Sequence, residues 1–139
     1  MKNRRSFLKK ALAGVATAGL LPLHKRASAG EIKLMGVLVH HVFFWLKEPE
    51  NKAHKKQLLD ALQELLKVKT IKMSHIGLPA GTESRDVVDH SYSVSYMVMF
   101  NDQAGQDAYQ VDPIHLKFVE ENQHLWEKVV VYDSTDESL

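Results

Sequence analysis

The chain has 139 residues, no cysteine, and 18 Lys plus Arg against 17 Asp plus Glu, a formal net charge of +1. The balance hides a division. Residues 1–29 hold seven basic residues and no acid, and setting those seven aside leaves 11 bases against 17 acids over residues 30–139, a net charge of −6. The composition excludes disulfides, thiolate zinc sites and Cys nucleophiles. The acidic body lacks the clustered positive charge that a general nucleic-acid binder needs, and about 110 residues suffice to bury one core without covalent staples.

The basic end is an address rather than part of a fold. Arg4-Arg5-Ser6-Phe7-Leu8-Lys9 resembles the twin-arginine export signal, with Arg4, Arg5, Phe7 and Leu8 in the defining positions and Asn3 where Ser or Thr is more usual. A mild Ala- and Gly-rich stretch follows from Ala11 to Leu23. It is shorter and less apolar than the roughly 20 residues that span a bilayer. Ala27-Ser28-Ala29 then has the small-x-small form of a signal-peptidase site. The resemblance implies a signal peptide over residues 1–29, use of the twin-arginine export machinery, cleavage after Ala29 and a periplasmic protein with no membrane attachment afterwards.

The rest reads as alternating strands and helices. Gly36 to Leu46, GVLVHHVFFWL, is dense in β-branched and aromatic residues and predicts a strand. From Asn51 to Val68, Leu58, Leu62, Leu65 and Leu66 recur at helical spacing, with Lys52, Lys55, Lys56, Asp60 and Glu64 on the other side, predicting an amphipathic helix. Thr70 to Leu78 is a second strand, and Pro79 to Ser91 a long loop of Gly, Pro and charged residues, a kind often used for function. Tyr92 to Phe100, YSVSYMVMF, has the cleanest period of two in the chain. Asn101 or Asp102 can cap a short helix carrying Ala104, Ala108 and Tyr109. Pro113 then starts a second helical piece running to about Leu125. Glu127 to Asp133 is the last strand and Ser134 to Leu139 a polar tail.

The order β-α-β-β-α-β predicts an α+β, ferredoxin-like fold: a four-stranded antiparallel sheet with helices on one face. One face of such a sheet is wet, so its strands should alternate polar and apolar. The first strand is apolar on both sides instead, with His41, Phe43 and Trp45 beside Val42, Phe44 and Leu46, and Met97 and Met99 add to the second face. The simplest cover for that face is a second copy, so a homodimeric α/β barrel is expected.

The segments His41-Val42-Phe43-Phe44-Trp45-Leu46-Lys47, Asp112-Pro113-Ile114-His115 with Phe118-Val119, and Trp126 to Asp133 together resemble the stress-responsive A/B barrel, or Dabb, domain over about residues 36–134. The resemblance implies the same dimeric barrel and no cofactor. A plant polyketide cyclase of that family uses a Tyr and a His, six residues apart across a proline turn, in a cavity between sheet and helices. Tyr109 and His115 hold those positions here, and Asp112 stands where the cyclase has a further His.

His115 and Tyr109 are therefore the catalytic candidates, the imidazole as a base titrating near 6.5 and the phenol as an orienting donor. The alternative use is structural, a His bonding to backbone in the turn and a Tyr in the core. His41, Phe43, Trp45 and Tyr96 are candidate ligand contacts for a small, mostly apolar or aromatic ligand. Arg85 is either a salt-bridge staple to Asp86 and Asp89 or a cap for a ligand carboxylate. No metal site is expected: His40 and His41 face opposite ways on a strand, and no HxH or HExxH spacing joins His75, His90 and His115. The leading expectation is an exported ligand-binding dimer. Rivals are a cyclase- or lyase-like enzyme, a heme or quinol monooxygenase by analogy of fold alone, and a stress-protection barrel without a pocket.

Overall fold

A computed structural model describes residues 35–136. The twin-arginine segment and its cleavage site lie outside the described residues. The elements run β1 (Leu38–Leu46), α1 (Lys52–Leu65), β2 (Met73–Gly77), β3 (Val94–Phe100), α2 (Gln103–Gln110), α3 (Pro113–Asn122), a 3-10 turn (Gln123–Leu125) and β4 (Trp126–Thr135). All strand pairs are antiparallel in the order β2-β3-β1-β4. This is the ferredoxin-like α+β fold.

Local chemistry sets the element ends. The Asn51 side chain accepts from the backbone N–H groups of Ala53 and His54 at 3.0 and 3.1 Å, capping α1. Asp102 caps α2 through Gly105 N at 2.8 Å, and Asp112 caps α3 through Ile114 N at 2.8 Å with Pro113 in the first turn. α1 ends at Leu65 rather than Val68, because Leu66 to Val68 tighten into turn bonds. The Ile71 N to Val68 O bond keeps Thr70 and Ile71 out of β2, which is shorter than its apolar pattern predicts. β4 is longer than expected: Ser134 and Thr135, read as tail, pair with Val39 and Leu38. Gly36, at φ +69°, lies in the left-handed region open to glycine. Its N–H and that of Val37 are held by the Asp136 carboxylate, which starts β1 at Leu38.

Strand parity sorts the side chains. Leu38, His40, Val42, Phe44 and Leu46 on β1, with Val94, Tyr96, Val98 and Phe100 on β3, face the helices and are buried. Leu58, Leu62 and Leu65 from α1, Tyr109 from α2 and Phe118 from α3 close over them. Each such apolar side chain contributes about 1.5–3 kcal/mol by leaving water. The opposite face carries Val39, His41, Phe43 and Trp45 in the middle of the sheet, all only partly buried. Met73 and Tyr132 beside them are 49% and 65% exposed. Among the described residues no helix is long and apolar enough to cross a membrane.

Candidate functional site

Among the described residues no helix lies over β4 on the helical side of the sheet, and Val129 and Val131 are 41% and 43% exposed there. Between them and α3 a cavity of about 280 Å³ runs inward to β1 and β3. Its walls are apolar: Val42, Phe44, Leu65, Phe118, Val119, Trp126, Val129 and Val131. The polar groups that reach it are His40, Tyr96, Tyr109, Gln110, His115 and Gln123. Among the described residues no Lys, Arg, Asp or Glu lines it.

Tyr109 and His115 come together as the family resemblance implies, with ring centroids 4.5 Å apart. α2 presents the tyrosine, and the Asp112-Pro113 turn brings the first turn of α3 back beside it. The His115 Nδ1–H donates to the backbone oxygen of Gln110 at 3.1 Å. A carbonyl only accepts, so Nδ1 carries the hydrogen, and Nε2 of the neutral ring is a lone pair. Burial lowers the His115 pKa, helped by the charge of His40 and opposed by the Gln110 carbonyl and Asp112. The ring is therefore neutral at pH 7, the form a base requires.

The Tyr109 hydroxyl donates to the Tyr96 oxygen across 3.5 Å, a long bond that leaves the Tyr96 hydrogen for another acceptor. Burial pushes the Tyr109 phenol up to about 12, and pushes Tyr96 further above the ordinary phenol range with Tyr109 adding to the effect. Both phenols are donors at physiological pH.

The sequence reading missed the fourth polar group. His40, 5% exposed, donates from Nδ1 to the Asp133 carboxylate at 2.6 Å and meets the Tyr109 ring edge-on at 5.8 Å. The available signal was the alternation itself: if Val42 and Phe44 face the core, so does His40. By the same parity, the expected contacts His41, Phe43 and Trp45 stand on the other face and line no part of this cavity, and Phe43 and Trp45 line a smaller hollow there with Asp89, Tyr92 and Tyr132. There Phe43 packs against His41, Tyr92 and Tyr132. Trp45 donates to Ser91 and lies under the Lys128 ammonium at 4.2 Å. Arg85 is exposed, has no ion pair among the described residues, so it does not staple Asp86 or Asp89, and lines no part of the cavity.

Fold and cavity define a ferredoxin-like α+β domain whose sheet and helices enclose a small polar-tipped pocket. The Stress responsive A/B Barrel Domain family matches residues 38–136, and the chain belongs to that family. A comparison with curated protein sequences finds no match. Among solved structures, a Dabb family protein with a ferredoxin-like fold from Mesorhizobium loti is 24% identical, at a TM-score of 0.62 over 75% of this chain and 100% of that one. Hydroxynitrile lyase from Passiflora edulis is 20% identical, at 0.63 over 76% and 98%. A dimeric ferredoxin-like protein of unknown function from Thermobifida fusca is 17% identical, at 0.60 over 76% and 96%. At these identities the likeness carries the fold alone.

Proposed function

We propose that the protein is an exported homodimeric barrel that holds a small, uncharged, mostly apolar molecule bearing a carbonyl or hydroxyl group. The observation that supports this most is the composition of the cavity. Apolar walls meet two histidines and two neutral phenols, and among the described residues no Lys, Arg, Asp or Glu is in the lining. About 280 Å³ is at the small end of ligand pockets. A carboxylate would be stripped of water there with only histidines to compensate it, which disfavours acids. Thermal shift and calorimetry on the chain should show binding of neutral aromatic aldehydes, ketones or alcohols and weaker binding of the matching carboxylic acids. Equal or tighter binding of the acids removes this reading.

A second reading is acid-base catalysis, favoured by the tautomer of His115. Its Nε2 lone pair can take a proton from a ligand hydroxyl, or from carbon beside a carbonyl, while a phenol O–H supports the developing oxygen charge. The likeness to a hydroxynitrile lyase is in keeping with it. Replacing His115 with Ala should then lower turnover by about 10²- to 10⁴-fold, the usual worth of a positioned base, with little change in thermal midpoint. A large fall in midpoint without a ligand effect means that His115 serves the turn only.

The dimer follows from the uncovered sheet face, and the dimeric protein from Thermobifida fusca supports it. Export rests on the twin-arginine resemblance. Fractionation of cells expressing the chain, with Arg4 and Arg5 both changed to Lys as control, tests it: the protein should move from periplasm to cytoplasm.

A further inference from the structure

The face of the sheet away from the helices holds a group of side chains that the cavity does not use. Three antiparallel strands place His41, Met97 and His75 in one row, each the direct partner of the next: His41 opposite Met97, and Met97 opposite His75. The adjoining row sets Met99 opposite Met73. The whole chain has five methionines, and three of them lie in this patch. Direct cross-strand neighbours stand about 4.5–5.5 Å apart, so a single atom above Met97 is within reach of ring nitrogens from either side.

The two imidazoles are set for such use. His75 is exposed, and its ring leans across Gly77, where a Cβ would meet Cε1 at 2.7 Å. Glycine there leaves the ring its seat. His41 packs on Phe43 at 4.2 Å between centroids. Among the described residues the outward strand residues are Val39, His41, Phe43 and Trp45 on β1, Met73, His75 and Gly77 on β2, Ser95, Met97 and Met99 on β3, and Lys128, Val130, Tyr132 and Ser134 on β4, none of them a carboxylate; Asp89, from the loop before β3, reaches the Phe43, Trp45 and Tyr132 end of the face.

From this row we infer a binding site for a soft monovalent cation, Cu(I), held by His41, His75 and the Met97 thioether, with Met73 and Met99 as neighbouring thioethers. Thioether and imidazole suit Cu(I), whereas hard cations such as Mg²⁺ and Ca²⁺ want oxygens, which the His41, Met97 and His75 row does not supply. An imidazole binds a metal through a lone pair and a thioether carries no charge, so the loaded site holds the one positive charge of the ion. Spacing along the chain gave no hint of it, since the three ligands come from three strands. A second copy over the face would enclose the site, but every ligand belongs to one chain.

Anaerobic titration of the full chain with Cu(I) against a chromophoric Cu(I) chelator tests this. One Cu(I) should be withheld per chain. Met97→Leu and His75→Phe should each weaken retention by more than about tenfold, the loss that removing even an outer partner of a metal ligand produces. Met35→Leu should leave it unchanged. X-ray absorption at the copper edge should show a sulfur neighbour that Met97→Leu removes. No retained Cu(I), retention equal in Met97→Leu and the parent, or Zn²⁺ held as tightly as Cu(I) overturns the site. Sedimentation of the same samples reads the dimer separately, so a monomer that still binds copper leaves this inference standing.

Discussion

His40 and Asp133, 93 residues apart in the chain, meet at 2.6 Å where β1 pairs with β4. The contact fixes the His40 ring by its Nδ1–H and leaves Nε2 as the free nitrogen of a side chain that lines the cavity. The carboxylate side chain is 49% exposed while the imidazole is 7% exposed, so the pair joins a buried group to a solvated one. Asp133→Ala should cost about 1 kcal/mol in urea denaturation, the low end for a hydrogen bond to a charged group because of that exposure. The same variant should weaken ligand binding by more than the loss in stability explains, since His40 then keeps its place but not its orientation.

The two phenols should behave unequally. Tyr109→Phe removes the donor of a 3.5 Å bond and little else, so its stability cost should stay under about 1 kcal/mol. Tyr96→Phe removes the hydroxyl whose hydrogen is still unclaimed, so calorimetry should show the larger fall in affinity there. Equal falls mean that the ligand oxygen bridges both hydroxyls.

Acid should weaken the fold through histidine. His115 and His41 both have pKa values below 6.5 in the folded chain, and the unfolded chain titrates near 6.5. As pH falls through 6.5 the unfolded state takes up protons first, so stability is present above that value and declines until the folded-state values are passed. The Tyr109 phenol, pushed up to about 12, acts at the other end: the unfolded phenol ionises near 10, so stability declines as pH rises beyond 10. Urea midpoints at pH 7.5 and 5.5 check the acid limb, and His115→Gln should flatten it.

Much of this was legible beforehand. The period of two in β3 and the leucine spacing of α1 report one-sided burial, and the cap at Asp102 is local chemistry, so element order and fold class followed. Tyr109 and His115 were findable through the family resemblance, and the structure supplies the physical reason: a proline turn between two short helices brings residues six apart side by side. His40 was not, for two adjacent histidines in an apolar strand differ only in parity, and a strand apolar on both faces gives no sign of which parity faces the helices. Its partner, Asp133, lies across a pairing that spacing along the chain does not display. Thr70 and Ile71 fell outside β2 for a related reason: a single turn bond to Val68 outweighed a favourable strand composition.

Sedimentation velocity on the chain should give a dimer at micromolar concentration. Tyr132 is 65% exposed in the single chain, so Tyr132→Glu costs the monomer little but sets a charge in the middle of any apolar interface on that face. It should shift the dimer to monomer. A parent chain that sediments as a monomer removes the barrel.

Leu62, fully buried between α1 and the sheet, is the anchor of the helical layer. Leu62→Ala should cost about 2–5 kcal/mol, enough to unfold much of a marginal domain at 37 °C. Urea denaturation followed by far-ultraviolet circular dichroism reads it.

β1 is the party wall of the molecule. Its even-numbered residues furnish one chamber, with His40 at its end, and its odd-numbered residues furnish the other, with His41. Point substitutions can therefore refit either room without disturbing the neighbour. Inserting or deleting one residue in this strand would instead turn every side chain beyond it through the wall, trading Val42 and Phe44 for Phe43 and Trp45. Tolerance of replacement and intolerance of length change are both written into the same nine residues.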